Sequence, residues 1–266
     1  MKVPYTLAIS SFAVHGTASL KTFITLLGER VLPVPSLLLN GLTNMSLVKK
    51  FDTPFKELLQ GTFELAVKRD LDLILYIGYL GKAEQVDTIL EMIGTYRDHI
   101  TTIITDPVSG DHGRAYVPED VIARWRDIIS VSDMAFPNLT EIKLLTGFSP
   151  NDNEAVAVYA DRFKELFPQT QLIITSITTG EDNIGFGVFG KESFAYFHKV
   201  LPKNFGGSGD AFLALFILNR FYKQMDFNTA LKLAADQTYQ LIKTTIDNGS
   251  DDLTLSIPEL EPNESQ

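Results

Sequence analysis

Residues 204–216 read NFGGSGDAFLALF, with Gly206, Gly207, Ser208 and Gly209 directly before Asp210 and an unbroken apolar run. Glycines let the backbone approach a ligand closely and adopt positive φ at little cost. If a helix begins near Asp210, its first N–H groups lack intrahelical acceptors and the helix dipole adds partial positive charge. Such an end suits an anion, above all the charge that develops on a phosphoryl group in transfer. A carboxylate among these donors is suited to take the proton of an attacking hydroxyl, so the stretch holds the parts of a phosphoryl-transfer site. The same residues also fit a plain helix start capped by Ser208 or Asp210. Other phosphate loops fit poorly, because the chain contains no GxxxxGK[ST] and no GxGxxG comes directly after its first apolar run.

Such a site needs a scaffold, and the hydrophobic pattern supplies one. The runs at 5–10, 71–78, 101–106, 133–137 and 171–177 read as buried strands. Helical patterns fall at about 17–29, 54–69, 82–99, 118–129, 138–146 and 152–166, with two more at about 208–224 and 226–246. Runs 184–190 and 193–200, separated by Lys191 and Glu192, read as an antiparallel hairpin near one sheet edge. This alternation predicts an α/β fold: a three-layer α/β/α sandwich with a mostly parallel sheet and helices on both faces. No repeat or linker-like shift interrupts it, so residues 1–266 are expected to form a single domain whose last ~10 residues fray.

In an open α/β sheet, ligands sit beyond the carboxyl ends of the strands. Ser10, Ser11, Gly78, Tyr79, Asp106, Asn138, Thr175 and Ser176 all fall at such ends and would gather along one edge.

Composition narrows the partners. With 33 acidic residues against 23 basic ones the formal charge is −10, which repels a nucleic-acid backbone. The chain has no cysteine, which removes disulfides, thiolate metal sites and cysteine nucleophiles and fits a reducing, cytoplasmic setting. Its longest clean apolar run, 211–218, is far too short to span a membrane, and the N-terminus reads as a first strand rather than a secretory signal.

The motifs resemble those of the ribokinase-like kinases, and among them the pyridoxal kinases. GGSGDAF is similar to the superfamily's G-[ST]-G-D signature. DPVSGDHGRAYVPED (106–120) resembles the DPV-x-GD…YVPE segment of pyridoxal kinases, and FPNLTEIKLLTG (136–147) their TPN-x-x-E-x-x-x-L-[TS]-G segment. ISSF, LNGLTNM, IGYL and IITSI fall in the family's order, so the resemblance spans residues 5 to about 250.

The resemblance implies ATP-dependent phosphorylation of the 5′-hydroxymethyl group of pyridoxal or a related B6 vitamer. It makes Asp210 the catalytic base and Gly207, Ser208 and Gly209 the anion hole. Asp106, Asp111, Tyr116, Asn138, Glu141 and Thr175 match ATP-binding positions, with Asp106 and Glu141 nearest the metal. Ser11, Thr43 and Tyr79 match the pyridoxal pocket. It implies Mg²⁺ with ATP, is compatible with a monovalent cation such as K⁺, and suggests a homodimer. The residues agree in kind: carboxylates beside a triphosphate need a hard cation, and a ring substrate wants an aromatic face such as Tyr79.

Departures cluster in the substrate pocket. Phe12 stands in a Ser-His-Val segment, Ser19-Leu20 where relatives have Gly-Asn, and Leu42 in place of a histidine. Two alternatives therefore stand beside pyridoxal kinase: a hydroxymethylpyrimidine kinase, or a non-catalytic B6 or nucleotide sensor. The pyrimidine enzymes usually carry a cysteine beside the glycines where this chain has Asp210, and a sensor would be expected to lose the base or metal residues. Asn138 and Glu141 also have capping-box spacing, and Tyr79 also fits a plain core aromatic. His15, His99, His112 and His198 show no metal-ligand spacing, with His99 and His198 read as structural or surface residues, and Trp125 is expected to pack.

Overall fold

The computed structural model describes residues 2–43, 45–180, 182–190 and 193–256. The connection at Lys191 and Glu192 and the final residues expected to fray lie outside them. In chain order the elements are β1 (Tyr5–Ala13), α1 (Leu20–Leu27), β2 (Val31–Leu39), β3 (Lys50–Phe51), α2 (Phe55–Lys68), β4 (Leu73–Ile77) and α3 (Glu84–Tyr96). Then come β5 (Ile100–Thr105), β6 (Gly110–Asp111), β7 (Arg114–Ala115), α4 (Glu119–Ile129), β8 (Met134–Ala135), α5 (Leu139–Thr146) and α6 (Val156–Leu166). The chain continues through β9 (Gln171–Thr179), β10 (Asn183–Phe189), β11 (Phe194–Lys199), α7 (Ser208–Ile217) and α8 (Phe227–Asp247).

Nine strands form one sheet in the order β11-β10-β9-β8-β5-β4-β1-β2-β3. The pairs from β2 through β1, β4, β5 and β8 to β9 are parallel, and β10 and β11 continue the sheet antiparallel. The expected sandwich and edge hairpin are therefore present. Strands β1 and β4 read as near-continuous apolar runs because both of their faces are covered. Along β1, Leu7 and Ile9 join one core with α2 to α6, whereas Ala8 joins the other with α1, α7 and α8. Trp125 on α4 is packed in the first core, as its sequence context suggested.

The sequence pattern missed β2, and its two prolines are the reason. Proline has no N–H to give a ladder and normally argues against a central strand. Pro33 and Pro35 nevertheless pair with Ala8 and Ser10. They share one parity, so both direct their backbone polar side away from β1. There the Pro35 carbonyl accepts from Thr53 Oγ1 at 2.8 Å, and β3 pairs with β2 only at Leu38 and Leu39. The two-residue strands β6 and β7 were likewise too short to show a period. Helix α1 starts at Leu20 rather than near 17, and the helix expected at 208–224 ends as α-helix at Ile217, continuing as a π-helical turn over Leu218–Tyr222.

Helix α7 explains its own sequence. Every residue from Ala211 to Ile217 is buried, because the helix is wedged between the sheet, α1 and α8. Phe216 lies 5.4 Å from the ring of Phe136 and 5.7 Å from that of Phe227. This wedge fixes the position of Asp210 in the first turn of the same helix. Among the described residues, no helix is long and apolar enough to cross a membrane. Phe216→Ala is expected to cost about 3–5 kcal/mol by urea denaturation, the range for emptying a buried aromatic site; a loss below about 1 kcal/mol would contradict the packing described.

Candidate active site

The glycine-rich stretch becomes the N-terminus of α7. Gly207 is its N-cap, with φ 88°. A Cβ at Gly207 would lie 2.3 Å from the Thr17 carbonyl oxygen and 3.0 Å from Ala18 Cα. Glycine is thus required twice, by its left-handed backbone and by the chain running against it. The Ala211 N–H donates to the Gly207 carbonyl at 2.9 Å, so the N–H groups of Ser208, Gly209 and Asp210 have no intrahelical acceptor. Neither Ser208 nor Asp210 occupies the N-cap position, and no side chain caps this helix end. Its donors remain available to an anion.

Asp210 sits half-buried in that first turn. Its Oδ2 accepts the backbone N–H of Ser19 at 2.8 Å. Burial lifts its carboxyl to about 6, while the Ser19 N–H acts in the opposite direction. A carboxylate in that range can accept a proton near neutral pH without being a strong base in the resting protein.

A second acidic group stands beside it. Asn138 caps α5, its Oδ1 accepting from the backbone N–H groups of Thr140 and Glu141 at 2.8 and 3.0 Å. Glu141 completes the capping box, its Oε2 accepting from Asn138 N at 2.9 Å. The other oxygen, Oε1, accepts from Ser109 N at 3.0 Å, so Glu141 also holds the loop after β5. Glu141 is only 2% exposed, and burial lifts it to about 8 although both backbone donors lower it. Asp106, at the end of β5, is held well above the usual carboxylate range by burial, then by the charges of Glu141 and Asp210.

These shifts carry chemical meaning. Asp106 and Glu141 resist joint ionisation because each raises the cost of charging a buried site. An oxygen-loving divalent cation removes that cost, and such a cation needs only one or two carboxylates when phosphates and water supply the rest. Among the described residues, no cluster of three or more His, Cys, Asp or Glu side chains is arranged to hold a metal by itself. The donor set therefore fits a cation that arrives with a phosphate ligand.

The loop expected to cover the nucleotide is a small hairpin pinned to α5. Besides the Ser109–Glu141 bond, Asn138 Nδ2 donates to the Gly110 carbonyl at 2.9 Å, and Gly113 N–H donates to Thr140 Oγ1 at 2.9 Å. Asp111 is exposed and accepts from the His112 N–H at 2.8 Å, while Tyr116 stands 50% exposed beyond β7. Thr175, on β9, bridges to Asn138, its N–H donating to the Pro137 carbonyl at 2.9 Å.

At the β1 end of the same edge lie the expected pocket residues. Ser11 and Tyr79 are both buried, and Thr43 is exposed. The β1–β2 register shifts between Ser10 and Ser11. Ser10 Oγ accepts the Tyr79 N–H at 3.1 Å, and Ser36 Oγ donates to the Tyr79 carbonyl at 2.6 Å. The Tyr79 backbone is thus held on both sides. Its hydroxyl accepts from Lys50 Nζ at 3.3 Å. Leu42, the residue in the histidine position, packs against Gly16 and Gly206: a Cβ on Gly16 would be 2.5 Å from Leu42 Cγ, and one on Gly206 would be 3.4 Å from Cδ1.

Several residues of the site escaped the sequence reading. Tyr76 is buried in β4, its ring stacked on Phe23 at 4.1 Å and its hydroxyl 3.5 Å from Asp106 Oδ2. Burial and the Asp106 charge push its ionisation up, so the hydroxyl stays neutral. In sequence it is one more aromatic in a buried strand. His198, read as structural or surface, lines a slot of about 160 Å³ with Ser208, Gly209, Thr175, Phe186 and Tyr239. Its ring stacks on Tyr239 at 4.7 Å, and Nε2 lies 2.8 Å from Asp236 Oδ1. Flat walls beside free helix-end donors suit an aromatic base attached to a phosphate chain. Only the pairing of β11 with α8 reveals it.

The chain matches the phosphomethylpyrimidine kinase family over residues 30–255. It is 31% identical over 192 residues to the pyridoxal kinase of Arabidopsis thaliana, a match covering 66% of this chain and 61% of that protein. The chain thus spans less than two-thirds of that relative. Among solved structures, the pyridoxal kinase of Entamoeba histolytica superposes with a TM-score of 0.84 at 20% identity, covering 100% of this chain and 98% of that one. The pyridoxal kinase of Leishmania donovani in complex with ADP and pyridoxamine gives 0.80 at 22% identity, covering 95% and 90%. These two likenesses show a shared fold. The chain belongs to the phosphomethylpyrimidine kinase family, within the ribokinase-like superfamily of small-molecule kinases.

Proposed function

We propose that the chain is a single-domain, ATP-dependent kinase that phosphorylates the 5′-hydroxymethyl group of pyridoxal and related B6 vitamers. The observation that carries this reading is Asp210, a half-buried carboxylate lying among the free N–H groups of a helix N-terminus. Relatives support the substrate class: the Arabidopsis protein is a pyridoxal kinase, and the Leishmania protein is seen with ADP and pyridoxamine. A hydroxymethylpyrimidine kinase is the second reading, favoured by the family's name and by apolar Leu42. Asp210 at the usual cysteine position and the absence of any cysteine weigh against it. Retention of Asp210, Asn138 and Glu141 weighs against a sensor.

In this reading the nucleobase occupies the slot between His198, Tyr239 and Phe186, with the phosphates running over Thr175 and the α7 end. Asp106 and Glu141 would hold Mg²⁺, directly or through water, with Asn138 ordering the helix end beside them. When bound, the cation would neutralise these carboxylates and the phosphate oxygens. Asp111 and Tyr116 border the nucleotide on the pinned hairpin, limiting water access. Ser11, Thr43 and Tyr79 receive the vitamer, the tyrosine giving its ring an aromatic face. Asp210 takes the proton of the hydroxymethyl oxygen as that oxygen attacks the γ-phosphorus. The N–H groups of Gly207, Ser208 and Gly209 hold the transferred group, those of Ser208 and Gly209 being free of intrahelical bonds. A homodimer, a cytoplasmic location and activation by K⁺ complete the proposal.

ATP consumption with Mg²⁺ should proceed with pyridoxal, pyridoxine or pyridoxamine, and turnover with hydroxymethylpyrimidine alone would give the second reading. Asp210→Asn should fold normally and lose ~10²-fold or more in kcat, the scale of general-base catalysis; near-normal turnover would remove Asp210 as the base. Because the base must be ionised, kcat/KM should rise with pH through an acidic limb near 6, the position to which burial lifts Asp210. A profile flat from pH 5 to 8 would contradict this assignment. Gly207→Ala should lower nucleotide affinity and kcat together, because the added carbon meets the Thr17 carbonyl. Calorimetric ADP titration and steady-state kinetics measure both, and unchanged values would contradict the close approach described.

A further inference from the structure

Ser19 holds a backbone conformation that starting a helix does not require. Its φ is 51° and its ψ −132°, a region that side chains with a Cβ occupy only at a cost in strain. The usual Ser N-cap is extended and bonds its own helix with the hydroxyl. Here no side-chain cap bond forms, and the Ser19 hydroxyl oxygen instead accepts from Ser11 Oγ at 3.0 Å. The strained backbone points the Ser19 N–H at Asp210 Oδ2, 2.8 Å away and 191 positions later in the chain. Among the described residues, this N–H is the one donor to that carboxylate.

The surrounding chain over-determines the arrangement. Thr17 and Ala18 lie against Gly207 so closely that only glycine fits. Helix α1, whose first residue follows Ser19, packs on α7, which carries Asp210. The N-terminal ends of the two helices are thus fixed to each other on both sides of the acidic group. An aspartate in a first helical turn can otherwise fold back onto the free N–H groups of its own helix, where it would compete with the phosphoryl group.

We propose that Ser19 is a positioning residue for the base: its left-handed backbone aims an N–H that holds the Asp210 carboxylate off the anion hole. One carboxylate oxygen is left to meet the acceptor hydroxyl. The Ser11–Ser19 hydroxyl contact ties that position to the substrate pocket. This role rests on the reading of Asp210 as the base. It also accounts for strain at Ser19, because the conformation is what turns the N–H across to α7.

Replacing the Ser19 residue by its α-hydroxy acid counterpart changes one amide to an ester, deleting the N–H and keeping the side chain. The ester protein is expected to lose about tenfold or more in kcat, with KM for ATP and pyridoxal changing less than about threefold. Ser19→Gly keeps the N–H and adopts the same φ freely, so its loss in kcat should be several-fold smaller than that of the ester protein, while the lost Ser11 contact should show in KM for pyridoxal. Full kcat in the ester protein would overturn the proposal, as would equal losses in the ester and Ser19→Gly proteins. A second measurement does not need the ester protein to fold. In the native chain labelled with ¹⁵N-serine, the Ser19 amide proton should be protected from exchange and lose that protection in Asp210→Ala; unchanged exchange would also overturn it. Undiminished turnover in Asp210→Asn would remove the base reading itself. Lost turnover there, together with full kcat in the ester protein, would remove only the role of Ser19.

Discussion

The site depends on placing three carboxylates, Asp106, Glu141 and Asp210, together at one end of a sheet, Glu141 fully buried and the other two partly so. Burial raises all three, and Asp106 carries the further cost of the two neighbouring charges. Left alone, such a cluster favours protonated, inert side chains. The chain opposes this with backbone dipoles: two N–H groups for Glu141, one for Asp210, and the free donors of α7. A cation and a polyphosphate would supply what those dipoles lack. The same burial that penalises the resting site would strengthen every electrostatic contact once it is filled.

Much of the local architecture follows from keeping these groups fixed. Glu141 caps its own helix and holds the loop after β5, so one side chain joins the structural and chemical demands. Gly207 permits contact between the α1 entry and the α7 start. The buried wedge of α7 then carries Asp210 at its exposed end, and Ser36 and Ser10 grip the backbone of Tyr79. Ser11 on β1 and Asp210 on α7 therefore sit on elements locked by the cores, and Tyr79, just past β4, is held by its backbone, a condition for precise geometry.

Legibility in the sequence followed the range of the interaction. Contiguous signals were readable: the glycines before Asp210, the Asn138–Glu141 spacing, and the apolar central strands. Strand β2 was not, because Pro33 and Pro35 are tolerable only when their polar side faces away from β1, and pairing determines that. Tyr76 and His198 were hidden for a related reason. Each has an ordinary local context, and each gains its meaning from a partner distant in sequence: Asp106 for the first, Asp236 and Tyr239 for the second. Ser19 showed in the sequence only as a departure from a glycine of relatives; its positive φ and its bond to Asp210, 191 positions away, are set by the surrounding fold.

The proposed function requires this site to move a phosphoryl group from ATP to a hydroxymethyl oxygen. ³¹P NMR of the protein mixed with ATP, Mg²⁺ and pyridoxal tests it most directly, because it identifies the acceptor atom as well as the loss of donor. A new phosphate monoester resonance should grow in step with ADP. Inorganic phosphate appearing with ADP and no monoester, or ATP left unchanged, would contradict it.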